Sequence, residues 1–211
     1  MIDGIKSAHD VLIVIMQINL LWTGREYYSL ENCLIDIHEH HSEIQATIVG
    51  YYENKIYQAD YRIITNENWE TTFLEIDSRH NDKIHQIRFE GDGKGHWTSS
   101  GKQLEQFDGC IDVDIPLTPF TNTLPIRRLK LNRDRSQEIK VIYCDILNGE
   151  IKPVSQKYTC LSSTTYHYEN VPNDFEATIK VDEMGLVIDY PSLFTRTAVV
   201  KTRYPSAGFR R

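Results

Sequence analysis

From Trp22 onward the chain is a succession of short β-branched and aromatic runs, at residues 44–52, 57–64, 69–76 and 84–89. Polar or Gly-bearing stretches at 29–32, 66–68 and 91–95 separate them. Runs this short, this regularly broken, suit antiparallel strands joined by turns rather than helices. The second half repeats the style at 139–145, 156–161 and 166–168. Its clearest element is Phe175, Ala177, Ile179 and Val181 alternating with Glu176, Thr178 and Lys180. Asp182-Glu-Met-Gly185 then turns the chain into 186–190, which predicts a hairpin. Each half holds an aromatic-led strand entering a hairpin with Asp and Gly. The pattern predicts a mainly β protein with little helix: an antiparallel barrel, or a curved clam-like sheet built from two similar halves. Residues 2–18 are the longest helix candidate, but their β-branched run argues against it.

A chain of 211 residues suits one domain with a core large enough to fold unaided. The expected division is an N-terminal extension or first strand at 1–21, a single β domain at 22–200, and a flexible tail at 201–211. Apolar residues make up 40% and charged residues 25%, a water-soluble composition. A net charge of -7 argues against broad nucleic-acid binding, which needs a basic face. Asp134 interrupts the one basic stretch, 130–135, so it reads as a solvated turn. Cys33, Cys110, Cys144 and Cys160 are widely spaced without a Cys-x-x-Cys pair, which predicts buried thiols. The apolar run 11–16 is too short to span a bilayer, and no small-x-small cleavage site follows it. The expectation is a cytoplasmic protein without stable membrane insertion.

The most unusual stretch is 112–128, Asp-Val-Asp-Ile-Pro-Leu-Thr-Pro-Phe-Thr-Asn-Thr-Leu-Pro-Ile-Arg-Arg. It opens as a strand with Asp112 and Asp114 on one face and Ile111, Val113 and Ile115 on the other. Pro116, Pro119 and Pro125 then predict a stiff segment that is neither helix nor central strand. Thr118, Thr121, Asn122 and Thr123 either satisfy the loop's own backbone or form a polar rim around a binding site. Read as strand, the leucine face of Leu129 and Leu131 carries Arg127 inward and leaves Arg128 outward. A buried Arg127 needs a partner: Asp112 or Asp114, or a ligand's phosphate, carboxylate or hydroxyls. The two aspartates, Cα atoms roughly 6.5 Å apart, also allow a hydrolase reading.

Other constellations carry less. His38-Glu-His-His41 puts His38 and His40 on one strand face, but no third ligand stands at a compelling spacing, and no metal is expected. There is no Gly-x-Ser-x-Gly elbow, Walker loop or dinucleotide fingerprint, and no cofactor is implied. The 12 tyrosines stand out beside 7 Phe and 3 Trp. Tyrosine-rich strands make a core, or line a cavity where ring bodies grip a ligand and hydroxyls orient it.

Several motifs together resemble the bacterial Putative glycolipid-binding family. They are Trp22-Thr-Gly-Arg-Glu26, Tyr61-Arg62 with Trp69, Gly91-Asp-Gly-Lys-Gly-His-Trp97 and Gly109-Cys-Ile-Asp-Val-Asp-Ile115. Thr118-Pro-Phe-Thr-Asn-Thr-Leu-Pro-Ile-Arg-Arg128 is the strongest, and Gln156-Lys-Tyr158, Tyr166-His-Tyr168, Phe175-Glu-Ala177, Val181-Asp182, Tyr190-Pro191 and Arg196 complete the set. The resemblance implies a curved β-shell and non-catalytic binding of a small amphiphile, a glycolipid, in an aromatic-lined cavity. Its expected binding residues are Arg62, Trp69, Trp97, Asp112, Asp114, Thr118, Thr121, Asn122, Arg127, Arg128 and Tyr158. Two rival expectations are an enzyme acting on a sugar- or phosphate-bearing substrate through Asp112, Asp114 and Arg127, and a protein-interaction module.

Overall fold

The computed structural model describes residues 15–81 and 83–204; the first part of the apolar run 11–16 and the end of the tail lie outside them. Eight strands come first: β1 (Met16–Gly24), β2 (Ser29–Ile37), β3 (His41–Tyr52), β4 (Lys55–Asn66), β5 (Thr71–His80), β6 (Lys83–Gly91), β7 (Trp97–Ser99) and β8 (Lys102–Gln103). Seven follow: β9 (Asp112–Asp114), β10 (Ser136–Asp145), β11 (Glu150–Ser162), β12 (Thr165–Val171), β13 (Glu176–Val181), β14 (Val187–Tyr190) and β15 (Phe194–Arg203). One helix, α1 (Thr123–Leu129), lies between β9 and β10.

All the strands belong to one sheet, ordered β8 to β1, then β15 back to β9. Each half is therefore a wing of successive hairpins, and the wings join where β1 pairs with β15, from Met16 opposite Arg203 to Gly24 opposite Phe194. The pairings are antiparallel except β9 against β10. The sheet curves but does not close. Of the two expected shapes the clam-like sheet is found, and the barrel is not.

Alternation fixes which face is covered. Ile18, Leu20 and Trp22 of β1, Ile44, Ala46 and Ile48 of β3, and Tyr57, Ala59, Tyr61 and Ile63 of β4 are all buried. Their sequence neighbours point to solvent, the usual state of an antiparallel sheet with one wet face. The four cysteines are buried free thiols. Residues 29–32 correct the sequence expectation. They are not a separator but the start of β2, because Glu31 continues the inward row of Cys33 and Ile35. Residues 16–18 of the helix candidate are likewise strand.

The segment from β9 to α1 plugs the concave face. Val113, Ile115, Leu117, Phe120 and Leu124 pack into the larger core, made mostly of first-wing residues with Ile142 and Cys144 of β10, while Ile126 packs with the second wing's tyrosine cluster. Here the sequence expectation fails: residues 123–129 are helical despite Pro125. Pro125 is the third helical residue, so its missing N–H is one that no helical carbonyl would have received. Pro119, at φ -78 in the right-handed region, leads a short 3-10 turn at Phe120–Asn122 directly into the helix. Lys130 ends it in a left-handed conformation, φ 47.

Candidate functional site

The plug's polar side chains tie it to both wings. Toward the first wing, Thr118 donates to Glu31 Oε1 at 2.8 Å and Tyr61 donates to the same oxygen at 2.7 Å. Thr118 Oγ1 also accepts the Phe120 N–H at 3.0 Å, a local turn at the entry to the 3-10 segment. Toward the second wing, Tyr158 donates to Asn122 Oδ1 at 2.9 Å. Gln156 donates to Asp114 Oδ2 at 2.7 Å, and Thr121 donates to Asp114 Oδ1 at 3.0 Å. Thr118, Thr121 and Asn122 thus serve the local backbone and the surroundings together, whereas the buried Thr123 hydroxyl has no partner among the described residues. Glu31 is wholly buried, and burial pushes its carboxyl up to about 8. The two donated hydrogen bonds favour the ionised form but do not outweigh burial, and Glu31 Oε2 has no hydrogen-bond partner among the described residues.

The arginines sit differently from the strand reading, because they are on α1. Arg128, not Arg127, forms the salt bridge: its Nε and Nη2 fork onto both oxygens of Asp112, whose side chain is 0% exposed. Burial pushes the Asp112 carboxyl up, and the guanidinium opposes that. Arg127 instead lies over the Trp69 ring, 4.3 Å from its centroid, and donates to Met184 O at 2.8 Å. Trp69 itself holds φ 66. Arg127 therefore faces a separate cavity of about 310 Å³, shared with Lys130, Tyr166 and Met184. Asp112, Asp114 and Arg127 do not converge on one space.

The space that Asp114 does line is a cavity of about 220 Å³ between the plug and the second wing. Asp114, Pro116, Thr118 and Asn122 form the plug side. Tyr143 of β10, Tyr168 and Asn170 of β12, Phe175 and Tyr190 form the wing side. Glu26 and Tyr27 of the β1–β2 turn, with Leu193 and Phe194, close the end. Register explains the core of it, since Tyr143 sits directly beside Asp114 in the β9–β10 ladder. The rings form a continuous train. Tyr158 meets Tyr168 at 5.3 Å, Tyr168 meets Tyr190 at 6.3 Å, Tyr190 meets Phe194 at 6.3 Å and Phe194 meets Tyr27 at 5.9 Å. Such spacings are those of favourable edge and offset contacts.

Of the expected binding residues, Asp114, Thr118 and Asn122 line this cavity, and Thr121 and Tyr158 hold its wall from behind. Arg127 and Trp69 share the second cavity, and Arg128 and Asp112 are paired inside the plug. Trp97 is core, donating to Cys110 O at 2.7 Å. Arg62 is on the outer face, bonded to Glu43 at 2.7 Å. His38 is not on a strand face with His40: both lie in the β2–β3 turn, where His38 stacks on His41 at 4.2 Å. His167, Glu169 and Glu176 do come together, but the Lys157 ammonium already sits 2.9 Å from Glu169. Sequence reasoning missed Glu26, Tyr27, Glu31, Asn170 and Phe194. Only Glu31 carried a local signal, an acid in phase with Cys33 and Ile35.

Comparison with known families decides the affiliation. The model of the Putative glycolipid-binding family matches residues 19–196. The chain belongs to that family. A similar solved structure is a DUF1089 family protein from Pseudomonas aeruginosa, 36% identical, with a TM-score of 0.71. The match covers 79% of this chain and 91% of that one. No curated protein matches the chain. Among the described residues no helix is long and apolar enough to cross a membrane.

Proposed function

We propose that this family member binds the head group of a glycolipid-like amphiphile in the tyrosine-lined cavity between plug and second wing, without transforming it. The observation that carries the proposal is the lining itself. Six aromatic rings surround a floor of Asp114, Thr118 and Asn122. Ring faces suit the apolar face of a sugar, and carboxylate, hydroxyl and amide groups suit its hydroxyls. At 220 Å³ the cavity holds about seven waters' worth of ligand, near one sugar ring. It falls below the roughly 300–1,000 Å³ of pockets that bury a whole drug-sized ligand. The head group is therefore inside and the acyl tail outside.

The enzyme alternative built on Asp112, Asp114 and Arg127 loses its geometric basis, since the three face different surroundings. The test is native mass spectrometry of the purified chain with lipid analysis of its solvent extract, beside titration with octyl glucoside and methyl glucoside. A one-to-one sugar-headed ligand, retained by the native chain and weakened by Phe175→Ala, is the expected result. A mass that no sugar-headed amphiphile shifts refutes the proposal.

A further inference from the structure

The two carboxylates of β9 have opposite fates. Asp112 has Arg128 folded onto it. Asp114, two residues on, has only the neutral donors Thr121 and Gln156, and no ion pair among the described residues. It lines one cavity with Tyr27, Tyr143, Tyr168 and Tyr190, whose phenols are raised first by burial and further by the nearby acid. The carboxylate therefore sits among these four rings. Glu26 adds a second acid at the cavity's end, and the lining contains no Lys, Arg or His. Burial pushes the Asp114 carboxyl up, opposed by the bonds from Thr121 and Gln156, and a part-buried carboxylate without a counter-charge is costly to hold. The faces of several tyrosines around it offer a further attraction to a cation.

We infer that the cavity selects a positively charged nitrogen, a protonated or quaternary ammonium, seated against Asp114 within the tyrosine ring. The inference rests on the cavity being the binding site and names the chemistry that site prefers. An ammonium supplies the charge that Arg128 supplies to Asp112, and its methyl or methylene groups meet the ring faces. The same lining rejects phosphate, sulfate and carboxylate head groups, which would bring like charge against Asp114 and Glu26. An amino-sugar head and a choline-type head both satisfy this chemistry.

Paired probes test it on the full chain, by calorimetry or tyrosine fluorescence at matched ionic strength. Choline is compared with its uncharged isostere 3,3-dimethyl-1-butanol, and glucosamine with glucose. The expected result is at least tenfold tighter binding of the charged member of one or both pairs, with the ratio falling toward one in Asp114→Asn. Preference for glucosamine over choline assigns the amino sugar, and the reverse assigns the quaternary ammonium. Equal binding of glucose and glucosamine, with choline no better than its isostere, overturns the inference while leaving the sugar-binding proposal standing. Failure of all four probes overturns the inference, and failure of octyl glucoside as well removes the proposed site with it. Where Asp114→Asn does not fold, the wild-type ratios decide alone.

Discussion

Glu31 gives the sharpest check on the interior. Burial raises its carboxyl from an ordinary 4.5 to about 8. The folded chain then keeps a proton that the unfolded chain releases, so the group favours folding at low pH. Its contribution is fully present below 4.5, falls as pH rises through the window 4.5 to 8, and is level above that. From pH 5 to 8, at ~1.4 kcal/mol per pH unit, the loss is ~4 kcal/mol. Glu31→Gln keeps an oxygen in place for the hydroxyls of Tyr61 and Thr118 but cannot ionise. The measurement is urea unfolding of both proteins at several pH values between 5 and 9. Histidines that titrate in this window do so in both proteins and cancel in the difference. The wild-type minus variant stability should drop by ~4 kcal/mol between pH 5 and 8, about 1.5 M in urea midpoint at a slope of roughly 2.5 kcal/mol/M. Only the change with pH matters, so any constant cost of the amide drops out. A difference that stays level within ~1 kcal/mol, less than one pH unit's worth, refutes the reasoning that Glu31 is held protonated.

Three further outcomes follow from the same geometry. Arg128→Ala strands the Asp112 carboxylate in the core and should cost ~3–5 kcal/mol, whereas Arg128→Met with Asp112→Leu should recover most of it; thermal unfolding of the three proteins reads this out. Arg127→Ala loses the contact over Trp69 and the bond to Met184 O, an expected ~1–2 kcal/mol of stability, and calorimetry should show unchanged affinity for cavity ligands, because Arg127 faces another space. Phe175→Ala, at a residue 37% exposed on the cavity's edge, should weaken head-group binding about fivefold, equivalent to ~1 kcal/mol, with little change in melting temperature.

The strands were legible because one face of each is wet, and the period of two survives in the sequence wherever that holds. Ile44, Ala46 and Ile48 against Glu43, Gln45 and Thr47 is the plain case. The plug's helix was not legible. Its prolines read as breakers, yet they occupy a 3-10 entry and a first turn where no N–H is missed, and seven residues of helix exist only because both wings pack against them. That error misassigned the arginines, since helical spacing sends Arg127 toward Trp69 and Arg128 back onto Asp112. Of the central motif, Asp114, Thr118 and Asn122 do line the cavity between plug and second wing. The rest of the cavity was hidden because its wall is assembled from turns at opposite ends of the chain. Tyr27 and Phe194 meet only through the β1–β15 pairing, which no local pattern records.

The two wings also differ in what fills them, and the difference bears on where the cavity lies. The first wing's interior is largely aliphatic, with Ile18, Leu20, Ile35, Ile44, Ile48, Ile63, Leu74 and Ile76 packed to Phe120 and Leu124. Branched aliphatic side chains interdigitate well at interior density. The second wing's cluster is instead led by Tyr158, Tyr166, Tyr168 and Tyr190 with Phe194. Flat rings with two rotatable bonds fill corners poorly, and each phenol demands a polar neighbour. Asn122 and Asn170 meet two of those demands, for Tyr158 and Tyr168. Asp114, between them, is held by neutral donors alone. A plug that fits one wing tightly and meets the other through hydroxyls and a lone carboxylate leaves its gap on the tyrosine side. Thr118 anchors the plug to the first wing through Glu31, while Asp114 and Asn122 face the tyrosine side through Gln156 and Tyr158, and it is there that the proposed ligand would sit.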